Sequence, residues 1–370
     1  MSSWRILVVD DEAGMLRSVE RVLGQDYEVA STRSAREAIA LARAFKPDLA
    51  ILDIQMPEMD GFRLIDELKP LDPELDVILM TGSIHEIDAK LTKAIRKDAF
   101  YFLQKPFDRG VLLSLVERCI ERKRLYRSNR EYLLHIEKEL NDARAFQESL
   151  LPPSVGRLEG VSIFAHYIPC TELAGDFYDY VAVPPDGAVI LVADVSGHGA
   201  SAAMLTGIVK AAFYSSSCEL YEPVCVVERI ANGIRAFDHH HYVTLICARV
   251  RNGSLDFVNA GHPPGILSEC GAPAVLLEST GSIISPALHL SWEQRTIRVK
   301  RGSDRMVLFT DGIIEAEAES GHYGFDRLVE EVRRGPADGG TLSEQIVESL
   351  RQFILGQPIN DDQTLVIANL

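Results

Sequence analysis

Residues Ala188-Val189-Ile190-Leu191-Val192-Ala193 form an uncharged run that ends in Asp194, between Gly187 and the glycine-rich turn Ser196-Gly197-His198-Gly199. A short β-branched run bounded by glycine reads as a strand buried in a core. A carboxylate at the end of such a strand cannot stay ionised in apolar surroundings without a partner. Gly197 and Gly199 let the backbone close around whatever Asp194 holds. A helix is expected from Ala200 to about Tyr214, so on its own Asp194 also reads as a helix cap.

At 370 residues the chain has room for two or three domains. No apolar run reaches the roughly 20 residues that span a bilayer, and the N-terminus does not read as a signal peptide, so a cytoplasmic protein without membrane contact is expected. The six cysteines include no CxxC pair and read as reduced thiols. A net charge of −16 argues against a nucleic-acid partner.

Near the N-terminus, strands and helices alternate. Strands at 5–9, 27–30, 49–52, 77–80 and 99–103 are expected, with helices at 15–23 and 35–45. That order predicts a parallel sheet with helices on both faces, whose functional groups collect at the carboxyl ends of the strands. Asp10, Asp11, Asp53, Thr81 and Lys105 all fall there. Clustered carboxylates need a divalent cation, most simply Mg²⁺. An Asp against that ion is a competent phosphoryl acceptor, and a Lys and a Thr hydroxyl can bind the phosphoryl oxygens. The motifs Val9-Asp10-Asp11-Glu12, Leu52-Asp53-Ile54-Gln55-Met56-Pro57 through Asp60-Gly61, Thr81-Gly82 and Lys105-Pro106-Phe107 resemble a response-regulator receiver domain. The resemblance implies a doubly wound, flavodoxin-like fold over residues 1–117 and Asp53 as phosphoacceptor. It implies Asp10, Asp11 and the Gln55 carbonyl as Mg²⁺ ligands beside Asp53, with Thr81 and Phe102 as switch residues and Lys105 beside them.

From Leu112 to Leu151 no Gly or Pro interrupts the chain, which predicts one helix of roughly 60 Å. Leu115, Cys119, Arg122, Tyr126, Asn129, Leu133, Ile136, Leu140, Ala143, Gln147 and Leu150 follow a coiled-coil spacing, with polar interruptions at Arg122, Asn129 and Gln147. A linker over 118–151 that forms a parallel homodimer is expected; a helix lying on its own domains is the alternative. The basic cluster Arg118, Arg122, Lys123, Arg124, Arg127, Arg130 reads as a solvated face.

Beyond residue 152, strand signals recur from Val161 to Ala368, with helices at 200–216, 223–237, 325–334 and 342–354. Two stacked sheets covered by helices are expected. Asp176, Asp194, Asp311 and Asp361 stand beside tight turns or strand ends. Gathered together, they would hold two divalent cations, and all-oxygen ligation favours Mn²⁺ or Mg²⁺. These motifs, with Phe146-Gln147-Glu148-Ser149-Leu150-Leu151-Pro152 and Asn259-Ala260-Gly261-His262-Pro263-Pro264, resemble the SpoIIE/RsbU branch of the metal-dependent protein serine/threonine phosphatases. The resemblance implies an α-β-β-α sandwich over 152–370. It gives Asp194 as the bridging ligand, Asp176 and the Val195 carbonyl on one ion, and Asp311 and Asp361 on the other, with Asp362 set aside. Ala174 stands where glycine is common, and Ser282-Ile283-Ile284-Ser285 replaces a glycine-rich turn. The Gly175-Asp176-Phe177 fragment lacks the context of a nucleotide cyclase, and His239-His240-His241 reads as a turn. His198 and His262 read as orienting backbone rather than moving protons.

Together these features predict a two-component response regulator with a phosphoserine/phosphothreonine phosphatase as output. The resemblance implies a sensor histidine kinase upstream and, as substrate, a STAS-type anti-sigma-factor antagonist. A non-catalytic adaptor that binds a sigma factor is the second reading, and four buried carboxylates weigh against it.

Overall fold

The computed structural model describes residues 4–82, 101–158, 160–184, 187–197, 199–216, 221–237, 241–269, 273–285 and 291–370. The chain divides into two compact units, Met1–His135 and Ile136–Leu370. His198, His239 and His240, and the start of the strand expected at 99–103, lie outside the described residues. No helix among the described residues is long and apolar enough to cross a membrane.

The first unit is the expected parallel sheet. β1 (Arg5–Val9), β2 (Glu28–Thr32), β3 (Leu49–Asp53), β4 (Asp76–Thr81) and β5 (Tyr101–Gln104) run in the order β2-β1-β3-β4-β5, all parallel. α2 (Ala35–Phe45) and α3 (Gly61–Leu68) cover one face. On the other lie α1 (Ala13–Leu23) and Leu112, Val116 and Cys119 of the long helix α4 (Arg109–Leu150). The alternating faces of β1 explain this layering: Leu7 and Val9 enter one core, Ile6 and Val8 the other.

Helix α4 starts three residues before the expected position and runs unbroken, but its side chains correct the reading of the linker. The seam positions Leu115 and Cys119 pack into the first unit's own core. The basic cluster is not simply solvated. Arg122 pairs with Asp76, Arg127 with Asp48 at 2.7 Å and Arg130 with Glu74 at 3.0 Å. The buried Lys123 ammonium donates to the carbonyls of Asp48 at 2.9 Å and Glu74 at 3.0 Å. Asp48 and Asp76 sit at the amino ends of β3 and β4, the end of the sheet opposite Asp53 and Thr81. The helix is thus fastened to that end by charge, and Tyr126, Asn129 and Leu133 are left exposed.

The second unit is the expected pair of stacked sheets. β8 (Asp176–Val183), β9 (Gly187–Val195), β10 (Val243–Arg251), β11 (Ser254–Ala260) and β14 (Arg295–Arg298) form one, in the order β14-β11-β10-β9-β8. The other runs β13-β12-β15-β18-β7-β6, from β13 (Val275–Leu277), β12 (Gly265–Glu269), β15 (Asp304–Phe309), β18 (Gln363–Asn369), β7 (Val161–Ile168) and β6 (Val155–Leu158). α5 (Ala200–Ser215) and α6 (Pro223–Phe237) cover the first sheet. α8 (Phe325–Arg334) and α9 (Gly339–Ile354) cover the second, and the short α7 (Asp311–Ile314) follows β15, ahead of the small hairpin of β16 (Glu317–Ala318) and β17 (Gly321–His322).

The run 188–193 is apolar throughout because β9 is buried on both faces. Ala188, Ile190 and Val192 enter the core between the sheets, while Val189, Leu191, Ala193 and Val195 enter the core beneath α5 and α6. Each of the Val, Leu and Ile side chains contributes roughly 1.5–3 kcal/mol of burial. By the same alternation Asp194 continues the inter-sheet row, as does Asp176 after Tyr178 and Tyr180 on β8. Thr310 extends the row of Met306 and Leu308, and Thr364 that of Val366 and Ala368. The polar residues therefore collect at one end of the inter-sheet core.

Candidate functional site

In the first unit, ligating oxygens of Asp10, Asp11 and Asp53 lie within 4.8 Å of one another. Lys105 reaches in from beyond β5, its Nζ 2.6 Å from Asp10 and 3.0 Å from Asp53. Lys105 holds its proton above the ordinary lysine value: burial works against the charge, but the bonds to Asp10 and Asp53 outweigh it. Burial pushes the Asp53 carboxyl up, and Lys105 only partly offsets this. Asp10 Oδ1 accepts from the Glu12 amide at 2.9 Å, which aims its other oxygen at Lys105. Thr81 is buried at the end of β4, and its carbonyl accepts from the Lys105 amide at 2.7 Å. Phe102 packs against the core on the α2–α3 side. Three carboxylates facing one lysine form a hard-oxygen set that fits a divalent cation such as Mg²⁺.

In the second unit, Asp176 and Asp194 are paired residues on β8 and β9. Asp176 is buried, and its Oδ2 accepts from the hydroxyls of Thr310 at 2.7 Å and Thr364 at 2.6 Å. Thr310 Oγ1 also accepts from the Thr364 amide at 3.0 Å, so one small network ties the first sheet to β15 and β18 of the second. Burial, then the charge of Asp194, pushes the Asp176 carboxyl well above the usual range, against the pull of the two threonines. Asp194 is pushed up to about 7 by burial and by Asp311, Asp361 and Asp362. Asp311 opens α7 and is raised by burial and by Glu315.

Among the described residues, no ion pair joins a cationic side chain to Asp176, Asp194 or Asp311. Asp176 is buried, Asp194 and Asp311 are half-buried and Asp361 is exposed, which corrects the expectation of four buried carboxylates; acids crowded together on a hard-oxygen set still fit divalent cations. The four acids do not converge as tightly as the receiver trio. A pair of ions about 3.5–4 Å apart spreads its ligands wider than one ion does.

Asp362 is held by backbone donors on both of its oxygens. Oδ1 accepts from the Cys170 amide and Oδ2 from the Gly175 amide, both at 2.7 Å. It clamps the loop that leads into Asp176. Cys170 lies close to Asp361 and Asp362, and burial beside those acids pushes its thiol up to about 12. Glycine is required where backbones meet. A Cβ at Gly175 would stand 2.6 Å from the Val195 carbonyl oxygen, and one at Gly312 would stand 2.0 Å from that of Asp362.

His262 orients rather than titrates. Its Nδ1 lies 2.8 Å from the Thr244 hydroxyl, its amide donates to Asn259 Oδ1 at 2.8 Å, and burial pushes the imidazole down to about 3. The segment 282–285 is tied to β10 through reciprocal amide bonds of Ile284 with Val243, both 2.9 Å. Thr310, Thr364 and Gln147 are the site-shaping residues that sequence reasoning missed. Gln147, expected as a polar break in a dimer seam, is buried against the Asp176 loop.

The profile described as stage II sporulation protein E (SpoIIE) matches residues 184–370, and that of the response regulator receiver domain matches 6–117. Phosphoserine phosphatase RsbP of Bacillus subtilis (strain 168) is 27% identical over 248 residues, covering 65% of this chain and 60% of that protein. Regulatory protein AtoC of Escherichia coli (strain K12) is 35% identical over 118 residues, 32% of this chain and 25% of that protein. This chain thus spans less than two thirds of either relative. Among solved structures, the SiaA-PP2C domain of Pseudomonas aeruginosa superposes with a TM-score of 0.57 at 21% identity, covering 64% of this chain and 98% of that one. That likeness carries the sandwich fold of the second unit.

Proposed function

The chain belongs to the SpoIIE family and carries a receiver domain ahead of it, and from that premise we propose a response regulator whose output is a metal-dependent phosphoprotein phosphatase. The observation that carries this reading is the crowding of acids at one strand end: Asp176 stands opposite Asp194 on paired strands, and burial together with Asp311, Asp361 and Asp362 pushes the Asp194 carboxyl up to about 7. Asp194, Asp176 and the Val195 carbonyl would hold one divalent ion, and Asp194, Asp311 and Asp361 a second. Two Mn²⁺ or Mg²⁺ ions bound there supply Lewis acidity for in-line displacement at phosphorus. The chain's own part is to hold the acids in place. Thr310 and Thr364 fix one oxygen of Asp176, leaving the other free to face an ion, and Asp362 fixes the loop before it.

The substrate class is a phosphoserine or phosphothreonine protein, supported by the phosphoserine phosphatase among the relatives. A STAS-type anti-sigma-factor antagonist is the partner we favour. In the receiver, Asp53 takes the phosphoryl group from a sensor histidine kinase. Asp10, Asp11, Asp53 and the Gln55 carbonyl would hold Mg²⁺, and Thr81, Lys105 and Phe102 would respond to the new charge. The exposed Tyr126, Asn129 and Leu133 on α4 support a homodimer through the linker. The test is Mn²⁺-dependent phosphate release from a phosphoserine peptide and from p-nitrophenyl phosphate. Release that disappears in Asp194→Asn supports the reading. A folded chain with no release in Mn²⁺ or Mg²⁺ overturns it in favour of the adaptor.

A further inference from the structure

Gln147 lies in the last turn of α4 and is 7% exposed, although its neighbour Phe146 is 68% exposed. Its side-chain amide makes three hydrogen bonds within the second unit. Nε2 donates to the Ala174 carbonyl at 2.7 Å and to Thr206 Oγ1 at 3.2 Å. Oε1 accepts from the Ala174 amide at 3.1 Å. Both backbone groups of Ala174 are thus satisfied by a single side chain, much as a neighbouring strand would satisfy them.

The next residue is gripped from elsewhere. The Gly175 amide donates to Asp362 Oδ2, and its carbonyl accepts from the Val195 amide at 3.2 Å. Asp176 follows, with one oxygen on two threonines. Each residue of the tripeptide Ala174-Gly175-Asp176 is therefore held by different groups, and only the one on Ala174 comes from the linker helix. A primary amide is the group for this role because it donates and accepts at once. Glutamate could accept from Ala174 but could not donate, and methionine could do neither.

We propose that Gln147 is a positioning residue that, through Ala174, sets Asp176 for ion binding and so couples the end of the linker helix to the metal site. This rests on the phosphatase reading above. It goes beyond that reading by giving the linker a point of attachment at the ligand itself. Thr206 extends the attachment to α5, since its hydroxyl donates to the Ala203 carbonyl at 2.7 Å while accepting from Gln147.

The experiment measures Mn²⁺ binding without turnover, from the free-ion electron paramagnetic resonance signal. It uses the full chain carrying Asp11→Asn, so that the receiver acids do not compete. Loss of such an outer hydrogen bond weakens metal binding by about 10- to 100-fold. Gln147→Met keeps the volume but removes every bond, and it is expected to raise the dissociation constant at least about tenfold. Gln147→Glu keeps one acceptor and is expected to weaken binding as much. Near-ultraviolet circular dichroism of the metal-free protein should stay that of the parent in at least one of the two. Binding within about twofold of the parent in both variants overturns the proposal, being far below the expected loss. Loss of the near-ultraviolet signal in both also overturns it, because Gln147 would then hold the fold rather than the site. A parent whose Mn²⁺ binding does not depend on Asp194 sinks the metal reading itself, which separates the two failures.

Discussion

Asp176 and Asp194 stand directly opposite each other on adjacent antiparallel strands, and both carboxyls are pushed up by burial and by neighbouring acids. Side chains so paired lie about 4.5–5.5 Å apart at Cβ, where like charges destabilise. Packing the two carboxyls together therefore carries an electrostatic cost, which a cation bound between them would offset. Asp194→Asn removes one charge from the cluster. It should lower Mn²⁺-dependent phosphate release by orders of magnitude while leaving the metal-free melting temperature equal or higher. A mutant that melts well below the parent would mean that Asp194 supports the fold rather than the chemistry.

The two threonines on Asp176 should not be equivalent. Thr364→Val removes one donor to Asp176, whereas Thr310→Val removes the other donor and also strips the acceptor used by the Thr364 amide. A buried polar group left without its partner costs about 1–3 kcal/mol. Urea denaturation in chelator should show Thr310→Val as the more destabilised, with Thr364→Val losing about 1 kcal/mol. The reverse order would show that the network around Asp176 is not as described.

His262 makes a prediction about pH. Its imidazole is held neutral down to about 3, against an ordinary value of 6.5. Between those values the unfolded chain binds the proton and the folded chain does not, so stability rises with pH across the window. The contribution is fully present above 6.5 and is lost as pH falls towards 3. Thr244 and the Phe309 backbone bond the ring, and no charged group does so among the described residues. From pH 6.5 to 5 the loss amounts to about 1–2 kcal/mol. His262→Gln should be less stable at neutral pH but should flatten that part of the stability profile. An unchanged slope would show that the ring titrates in the folded protein.

Asp53 should take phosphate from acetyl phosphate in the presence of Mg²⁺, and Asp53→Ala should abolish the labelling. Asp10 and Lys105 are close enough to hold the incoming phosphoryl group and its ion. Base-labile labelling that persists in Asp53→Ala would place the acceptor elsewhere.

What was legible in the chain and what was not divides along a physical line. Strand-end acids such as Asp10, Asp53, Asp176 and Asp194 were readable because an apolar run that stops at a carboxylate is a local pattern. Partners supplied by topology were not. Thr310 and Thr364 meet Asp176 across 134 and 188 residues, and nothing near them in sequence marks them. The arginines of α4 looked solvated because their partners, Asp48 and Asp76, sit at the amino ends of strands, where charge reads as loop. Gln147 fell on a coiled-coil spacing, yet at that point the helix has its own domain to pack against. β6 was missed because Val155–Leu158 is an edge strand with a glycine and an arginine in its middle. The first turn of α9 was missed because Gly339-Gly340 reads as a breaker, although Asp338 caps it with a bond to the Thr341 amide at 2.8 Å.

The last prediction concerns the route of the signal. Helix α4 is held at both ends by different chemistry. Val116 and Cys119 are in the receiver core, and Arg122, Lys123, Arg127 and Arg130 bind its Asp76, Asp48 and Glu74. Gln147 binds Ala174. Residues 131–134 between them are exposed. A helix fixed at both ends transmits rotation or displacement only while it stays continuous. Inserting Gly-Gly after Leu134 places two residues of low helix propensity there, each costing about 1 kcal/mol relative to alanine. Phosphate release should persist at a basal rate but no longer change when Asp53 is phosphorylated. Inserting Ala-Ala at the same place keeps the helix and turns its far end by about 200°. That variant should stay sensitive to helix geometry, with a basal rate different from the parent's. A Gly-Gly variant that still answers Asp53 phosphorylation like the parent would show that the helix is only a tether.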